Sequence, residues 1–522
     1  MPALLAVRVD TAAERPLLVC DEETLTYADA DRRSADLARG LLARGIGKGA
    51  HVGLLMPNGA DFVVGWLAAA RIGAVTVPLS TFSTAPEIRG LLRSADIEAL
   101  LAVDAYRGRD FAAVLVEAID GLALDAPQPL FVPDAPALRL LAFTGDAPPT
   151  VAAVSAHGTD PDLLGAAEAG VCPADRMVIV HTSGSTSAPK GVIHQHGPLI
   201  RHMDNLNRIR SYTAEEVMFS NSPFFWIGGF AFSLLGTLVA GATLVCSNAR
   251  EASDVLDVIE RTRPTLVNGF AQTVAHLPED PSFAVRDLGS IRRGNLWPIL
   301  PPDVAPRDPE LRHNMLGMTE TGSVCLLSAD ETDQPEHRRG SFGSPAPGFE
   351  AMIVDPEDRH RCEPGEVGEL WLRGPFLMEG YYGKEREETF EPDGWYRTGD
   401  LFSVDADGLY YFTGRLGDMI KTSGANVSPR EVEAAILAVT GLTAHVVGVP
   451  DAARGELVAA AVRVPVNGGD LPEEDQLRAD LRRQLSAYKV PQRVLFLRDD
   501  EVPMLSSGKL DARALKAMFG AD

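Results

Sequence analysis

The chain has 522 residues, too many for one hydrophobic core, so several domains are expected. With 45% hydrophobic and 23% charged residues it reads as a soluble globular protein. Lys+Arg 48 against Asp+Glu 72 gives a net charge of −24, which argues against a general binder of nucleic acid or anionic membrane but leaves room for a local loop that holds a small anion.

The opening segment, "MPALLAVRVDTAAERP", is interrupted by charges before any long apolar run forms, so no secretion signal is expected there. From this point to about residue 410, strands and helices alternate, which implies mainly parallel sheets covered by helices. "HVGLLM" (His51 to Met56) reads as a strand, "DFVVGWLAAARIG" as an amphipathic helix ending at Gly73, and "AVTVPL" as the next strand. "LLAFTGD" and "LVNGF" read as further short strands, and Thr144 to Asp160 as an exposed loop. Val217 to Ala249 carries no charge and is long enough to cross a bilayer, but Pro223 and Gly228, Gly229, Gly236 and Gly241 break it. The expectation is a loop, a buried helix near Gly229 to Ala240, and a buried strand "ATLVC". After "GEVGELWLRGPFLMEGYY" (Gly365 to Tyr382) the pattern becomes strand-rich with glycine turns. Beyond Asp418 a smaller unit follows: a capped helix "SPREVEAAILAV", strands "AHVVGVP" and "LVAAAVRV", and a charged helix "EEDQLRADLRRQL". Five cysteines lie far apart with no CxxC pair, so neither a zinc site nor a disulfide framework is expected, and a reducing cytoplasm fits.

One stretch departs from ordinary core or surface: "TSGSTSAPKG", Thr182 to Gly191. The strand-like "RMVIVH" precedes it, and "VIHQHGPLIRHMDNLNRI" after it has helical periodicity. Strand, Gly/Ser/Thr turn, helix is a context in which backbone N–H groups can face an anion. Ser183, Ser185, Thr186 and Ser187 add hydroxyls, and Lys190 adds a mobile positive charge. Composition alone leaves a solvated linker equally open; the lysine beside Gly191 favours phosphate. The spacing is not that of a P-loop, and no GxGxxG occurs, so the usual kinase, GTPase and dinucleotide readings lose support.

Four more segments are too specific for plain scaffold when taken together: "LGMTETG" (Leu316 to Gly322), "WYRTGD" (Trp395 to Asp400), "GRLGDMIKTSGANVSPREVE" (Gly414 to Glu433) and "PMLSSGKLD" (Pro503 to Asp511). In their order along the chain, with TSGSTSAPKG, they resemble the signature set of the adenylate-forming superfamily, which includes acyl-CoA synthetases, peptide-synthetase adenylation domains and luciferase-like enzymes; acyl-CoA synthetases are the most similar. The resemblance implies an α/β fold: a large N-terminal domain (1–414) of mixed, mainly parallel sheets with flanking helices, hinged to a small mobile C-terminal α+β domain (415–522).

Roles follow from the resemblance position by position. Thr182, Ser183, Gly184, Ser185, Thr186 and Lys190 would cover the β- and γ-phosphates of ATP. Glu320 would bind Mg²⁺, with Thr186 as a further ligand, and Thr319 and Gly317 would lie by the nucleotide. Asp400 would hold the ribose hydroxyls, Arg415 the ribose and phosphate, and Lys509 would be the catalytic lysine of adenylation. Rotation of the small domain would then bring in the "TSGAN" loop, where Gly424 lets the pantetheine arm of CoA approach closely; Arg454 and Lys489 are candidate contacts for its phosphates. Trp226, Phe230 and Gly269 would line the acyl pocket, which lacks an obvious acid to pair with a substrate amino group. Leu316 stands where the family usually has an aromatic residue, "RRGNLWP" (Arg292 to Pro298) where it usually has a Gly-Ala-Pro-like stretch, Gly417 at the usual Asp or Lys hinge, and Trp226 where many relatives have histidine.

The function so implied is ATP- and Mg²⁺-dependent ligation of an apolar carboxylic acid (fatty, alicyclic or aromatic) to CoA, releasing AMP and pyrophosphate, in a cytoplasmic enzyme. Its partners would be the acid and CoA, with no nucleic acid and no transmembrane segment; a homodimer stays open. Two alternatives also stay open: a ligase that loads a carrier protein or stops at the acyl adenylate, and a non-catalytic nucleotide-binding relative.

Overall fold

A computed structural model describes residues 1–156, 158–182, 189–416, 419–422, 425–451, 455–464, 473–485, 489–505 and 509–520, without the side chains of 272, 273, 421, 425 and 426. The chain divides into two compact units, one of 1–350 with 373–393 and one of 351–372 with 394–522. The smaller unit is therefore built from two stretches, and 373–393 returns to the larger one.

In the larger unit the described residues form two sheets of mainly parallel strands. The seven-stranded sheet runs Gly380–Tyr381, Lys190–Gln195, Arg176–Thr182, Val75–Leu79, His51–Leu55, Ala99–Ala102, Leu140–Phe143. Its last five strands are parallel and its first two pairings antiparallel. The central strands His51–Leu55 and Val75–Leu79 are buried along their whole length, as a strand with helices on both faces must be. The six-stranded sheet contains the parallel run Arg293–Gly294, Leu266–Asn268, Val217–Ser220, Thr243–Cys246 and Pro16–Cys20, edged by antiparallel Glu23–Thr26. The uncharged stretch is core: a π-helix Gly228–Leu235 runs into helix Gly236–Ala240, Gly241 closes it with a left-handed φ of 78°, and Thr243–Cys246 follows as a strand. Among the described residues no helix is long and apolar enough to cross a membrane.

Two local expectations are corrected. The TSGSTSAPKG loop does not lead directly into a helix; Lys190–Gln195 is a strand antiparallel to Arg176–Thr182, and the helix starts at His196. Residues 191–194 are buried, so the segment lacks the alternation that marks a half-exposed strand. The Thr144 to Asp160 stretch contains a short helix, Val151–Ala156. It rests on helix Tyr27–Leu42 at Gly40, where a Cβ would come within 2.2 Å of the Val154 carbonyl oxygen. That contact is remote in sequence and invisible in the local pattern.

The smaller unit holds a sheet ordered Glu350–Val354, Gly368–Arg373, Tyr396–Val404, Tyr410–Arg415, whose last three strands pair antiparallel. It also holds a sheet in which Gly455–Val464 pairs antiparallel with Ala444–Asp451 and parallel with Arg493–Arg498. Helices Pro429–Thr440 and Glu474–Leu481 share its core through Val432, Ile436, Leu477 and Leu481. Ser428 stands at the N-cap of Pro429–Thr440, but its hydroxyl donates to the Thr413 carbonyl at 2.8 Å instead of capping the helix.

Burial also fixes a pH response. His194, His196 and His202 are at most 1% exposed, and desolvation lowers their pKa values from 6.5 to about 4, 3 and 3. Between pH 6.5 and 4 the unfolded chain binds protons that the fold refuses, so stability falls as the pH drops through that window. His202 stacks on Phe376 at 5.1 Å and meets Phe349 edge-on at 5.2 Å. Urea unfolding followed from pH 7 to 4.5 is expected to lose stability towards acid, and His202→Phe should reduce that slope by about 1.4 kcal/mol per pH unit. An unchanged slope in the variant would mean that His202 is not among the groups that refuse protons.

Candidate active site

In the larger unit the site begins with the hairpin register. Lys190 lies directly opposite Thr182, so both ends of the Ser/Thr/Gly loop are pinned together. Ser183, Gly184, Ser185 and Thr186 lie outside the described residues. Next to the hairpin, Gly380–Tyr381 pairs with the Lys190 strand, Tyr381 opposite Val192. The Lys190 ammonium sits 5.0 Å from the centre of the Tyr381 ring, within cation–π range. The Tyr381 hydroxyl donates to Glu320 Oε1 at 2.8 Å. One tyrosine therefore joins the lysine of the loop to the acid of LGMTETG, residues 130 positions apart in sequence.

Glu320 is held as firmly through its backbone. Thr319–Thr321 forms one 3-10 turn, closed by Gly322 at a φ of 70°. The Thr319 carbonyl accepts from His194 Nε2 at 2.7 Å, and the Glu320 carbonyl accepts from the Met378 N–H at 2.8 Å. A histidine with its pKa near 4 is neutral at pH 7, and the carbonyl acceptor places its proton on Nε2. A Cβ at Gly322 would come within 2.7 Å of Leu199 and 3.3 Å of the His194 ring, so glycine is required on both counts. Gly317 lies at the start of this turn, where a Cβ would crowd the Ser323 carbonyl at 3.1 Å; Leu316 pairs with Leu326 across the short antiparallel sheet. A half-buried carboxylate is the hard oxygen donor that Mg²⁺ takes while it keeps its waters and shares phosphate oxygens, so Glu320 fits the ion.

A second cluster lies at the C-terminal ends of the parallel strands of the six-stranded sheet, where open α/β sheets bind ligands. The Asn221 carboxamide makes both hydrogen bonds to the Phe270 backbone, and Asn295 both to Gly269, all at 3.0 Å. A Cβ on Gly269 would stand 1.9 Å from Asn221 Oδ1, so only glycine permits this clamp. Trp226 meets Phe225, Phe270 and Phe82 edge-on at 5.6, 5.6 and 6.3 Å. Phe82 and Phe270 are 42% and 46% exposed, so the cluster presents an aromatic surface. Phe230 belongs elsewhere: it is fully buried and packs against Trp66 at 5.2 Å. The opposite end of the seven-stranded sheet has an open cavity of about 370 Å³, lined by Lys48, His51, Asp175, Arg176, Gln195 and Glu379. Its charges are satisfied internally, Lys48 by Asp175 and Arg176 by Glu379.

In the smaller unit, Asp400 and Arg415 face each other across an antiparallel pair, with Arg415 Nε 2.8 Å from Asp400 Oδ1. The aspartate side chain is 4% exposed and the arginine 65%, so the pair joins a buried acceptor to a solvent-facing cation. Glu369, which the motifs did not single out, positions this turn. Its buried carboxylate accepts from the Gly399 N–H at 3.0 Å, Arg397 Nε at 3.0 Å and Trp371 Nε1 at 2.9 Å. Three donors satisfy a charge that is 2% exposed. Gly399, at a φ of 72°, then delivers Asp400. Lys509 is exposed; its carbonyl accepts from the Leu505 N–H at 2.7 Å, and Met504 bridges Leu510. Lys489 is bonded to both oxygens of Glu431, at 2.6 and 2.8 Å. Gly424, Gly417 and Arg454 lie outside the described residues.

Residues 5–382 match the family model of the AMP-binding enzyme, and residues 431–509 that of the AMP-binding enzyme C-terminal domain. The chain belongs to the AMP-binding enzyme family. Feruloyl-CoA synthase from Amycolatopsis sp. is 33% identical over 505 residues, covering 95% of this chain and 94% of its own. Sulfoacetate–CoA ligase from Cupriavidus necator is 30% identical over 521 residues, covering 98% and 96%. The ATP-bound structure of MatB from Rhodopseudomonas palustris has the same fold, with a TM-score of 0.81 at 24% identity over 99% of this chain and 98% of its own. This AMP-binding enzyme is thus an adenylate-forming ligase of the acyl-CoA synthetase kind.

Two substitutions test the geometry of the AMP-binding enzyme. Tyr381→Phe keeps the ring under Lys190 and removes the bond to Glu320; ATP–pyrophosphate exchange should fall about tenfold in kcat/KM, the worth of one hydrogen bond to a charged group. Glu369→Gln sets an amide donor against three donors and should cost about 2 kcal/mol of stability in urea unfolding while raising the KM for ATP. Wild-type KM and stability in that variant would remove Glu369 from the positioning of Asp400.

Proposed function

We propose that the protein activates an apolar carboxylic acid with ATP and passes the acyl group to CoA. The observation that best supports this reading is the convergence of Lys190 and Glu320 on Tyr381, which provides a cation and a hard oxygen donor at the mouth of a hydroxyl-rich loop.

A carboxylate oxygen of the substrate attacks the α-phosphorus of ATP, the bond to the β-phosphate bridging oxygen breaks, and pyrophosphate leaves. Both reactants are anions, so positive charge must be in place before they meet. Lys190 would steady the leaving phosphates, and Lys509 would bridge the acid and the α-phosphate. Bound at Glu320, Mg²⁺ would supply Lewis-acid stabilisation to the phosphate oxygens. Asp400 would accept from the ribose hydroxyls, with Arg415 on its outer side. The CoA thiol then gives up its proton, sulfur bonds to the acyl carbon, and AMP leaves with the adenylate oxygen. For that step we propose that the small domain beyond a hinge at Gly417 turns to replace Lys509 by the Gly424 loop.

The aromatic surface of Phe82, Phe225, Trp226 and Phe270 favours an apolar acid, with aryl acids the first to test. A cytoplasmic enzyme fits the same reading.

The decisive experiment is a panel of carboxylic acids assayed for pyrophosphate exchange and, with CoA, for AMP release. An apolar acid should give both. Exchange without thioester would point to a carrier protein or to an adenylate product, and exchange with no acid above the Lys509→Ala background would indicate a non-catalytic relative. Lys509→Ala should lower adenylation by at least about 100-fold, near 3 kcal/mol, while still converting preformed acyl adenylate and CoA to thioester. Equal loss of both half-reactions would contradict the exchange of Lys509 for the Gly424 loop.

A further inference from the structure

Far from the motifs in sequence, the turn "DPEDRHRCEPGE", Asp355 to Glu366, brings three different metal-binding side chains together. His360, Cys362 and Glu366 each place one donor atom within 4.8 Å of the other two. Their backbone frame is well tied. Val354 bridges Arg361, the Asp355 N–H meets the His360 carbonyl at 2.9 Å, and the Cys362 N–H meets the Ile353 carbonyl at 2.9 Å. Arg359 turns the chain at a φ of 64°, and the Gly365 N–H is fixed to the Val404 carbonyl at 2.8 Å. His360 and Cys362, two apart on this extended stretch, fall on the same side of it.

Two features go beyond proximity. Cys362 is only 8% exposed and forms no disulfide, and among the described residues no hydrogen bond ties its sulfur, which lies within 4.8 Å of the His360 and Glu366 donor atoms. A buried thiol beside a carboxylate and an imidazole, with no hydrogen bond of its own, is placed to serve as a ligand to a cation. His360 Nδ1 hydrogen-bonds to Asp358 Oδ1, which leaves Nε2 as the nitrogen available to a ligand, and Nε2 faces Glu366 Oε2 at 4.0 Å. An imidazole held by a carboxylate through its other nitrogen is the supporting arrangement that fixes the tautomer of a metal-bound histidine. Glu366 is oriented in turn, since Oε2 accepts from the Glu363 N–H at 2.9 Å.

We propose that His360 Nε2, Cys362 Sγ and the Glu366 carboxylate form a Zn²⁺ site, with Asp358 as the residue that positions His360. Nitrogen, sulfur and oxygen donors together select a borderline ion over Mg²⁺, which takes oxygen alone. Zinc bonds of about 2.0 to 2.3 Å put tetrahedral ligand atoms roughly 3.5 Å apart. Closing from within 4.8 Å asks for a shift of about 1 Å, which the half-exposed His360 and Glu366 side chains can make. Three protein ligands leave a fourth position for water. Cysteine spacing could not reveal such a site, because it uses one cysteine and ligands of three kinds. It involves none of the residues assigned to ATP or the acid, so it is independent of the proposed reaction.

The test uses the full-length protein stripped with a chelator and titrated with Zn²⁺ against a chromophoric competitor, and separately with Co²⁺. One zinc per chain with a micromolar or tighter dissociation constant is expected, together with a near-ultraviolet sulfur-to-cobalt band. Cys362→Ser should abolish that band, His360→Ala should weaken zinc at least 100-fold, and Asp358→Asn should weaken it about 10- to 100-fold. His360 is exposed, so His360→Ala does not disturb the core, and its far-ultraviolet circular dichroism should match wild type. Zinc affinity equal in wild type and His360→Ala, or a cobalt spectrum without the sulfur band, overturns the assignment.

Discussion

The larger unit's site depends on one constraint: the antiparallel addition of Lys190–Gln195 and then Gly380–Tyr381 to the edge of a parallel sheet. Parallel strands carry their ligand-binding ends on one side. A reversed strand at the edge brings its first residue, Lys190, to that same end, opposite the last residue of the neighbouring strand, Thr182. The next strand then supplies Tyr381, and its leading segment, through Met378, grips the Glu320 backbone. Main-chain hydrogen bonds thus set the spacing of a cation, a phenol and a carboxylate. The lysine and glutamate side chains, being long and flexible, would otherwise lose substantial rotamer entropy in finding the tyrosine.

Charge is handled differently in the two units. In the larger one the acid and a cation meet the same tyrosine, and the imidazole that holds the neighbouring Thr319 carbonyl is kept neutral by burial. In the smaller one a buried carboxylate, Glu369, is used as scaffold. It is fully satisfied by a backbone N–H, a guanidinium and an indole, and so holds the glycine turn that presents Asp400. An overall charge of −24 does not exclude a site for an anion, because Lys190, Arg415 and Lys509 are all exposed and a local cation acts over a short range.

Glycine is required where backbones or carboxamides approach too closely for a Cβ. At Gly269 the Asn221 carboxamide occupies that space, and at Gly322 the His194 ring and Leu199 do. The first shapes the floor beside an aromatic surface, and the second seats the acid-bearing turn. The two differ from surface glycines in that a methyl group would displace a hydrogen-bonded partner, not merely strain one φ angle.

The sequence by itself determined the alternation of strands and helices and the family, and it singled out the charged candidates for the site, because these are written in local periodicity and in short motifs whose order does not depend on folding. Glu320, Lys190, Asp400 and Lys509 could be named from their neighbours in the chain. Tertiary structure alone decided what those residues touch. Tyr381 lies in the plain stretch "EGYY", and its role comes from a strand pairing with a segment almost 190 residues earlier; Glu369 reads as one more acidic residue until three donors from distant positions meet it. The strand at Lys190–Gln195 passed for the start of a helix because both its faces are buried, and the helix at Val151–Ala156 passed for loop because its partner, Gly40, is more than 100 residues away. Phe230 and Trp226 look alike in the pattern, yet one is core and the other meets an exposed aromatic surface, a difference that local sequence cannot carry because burial belongs to the assembled fold.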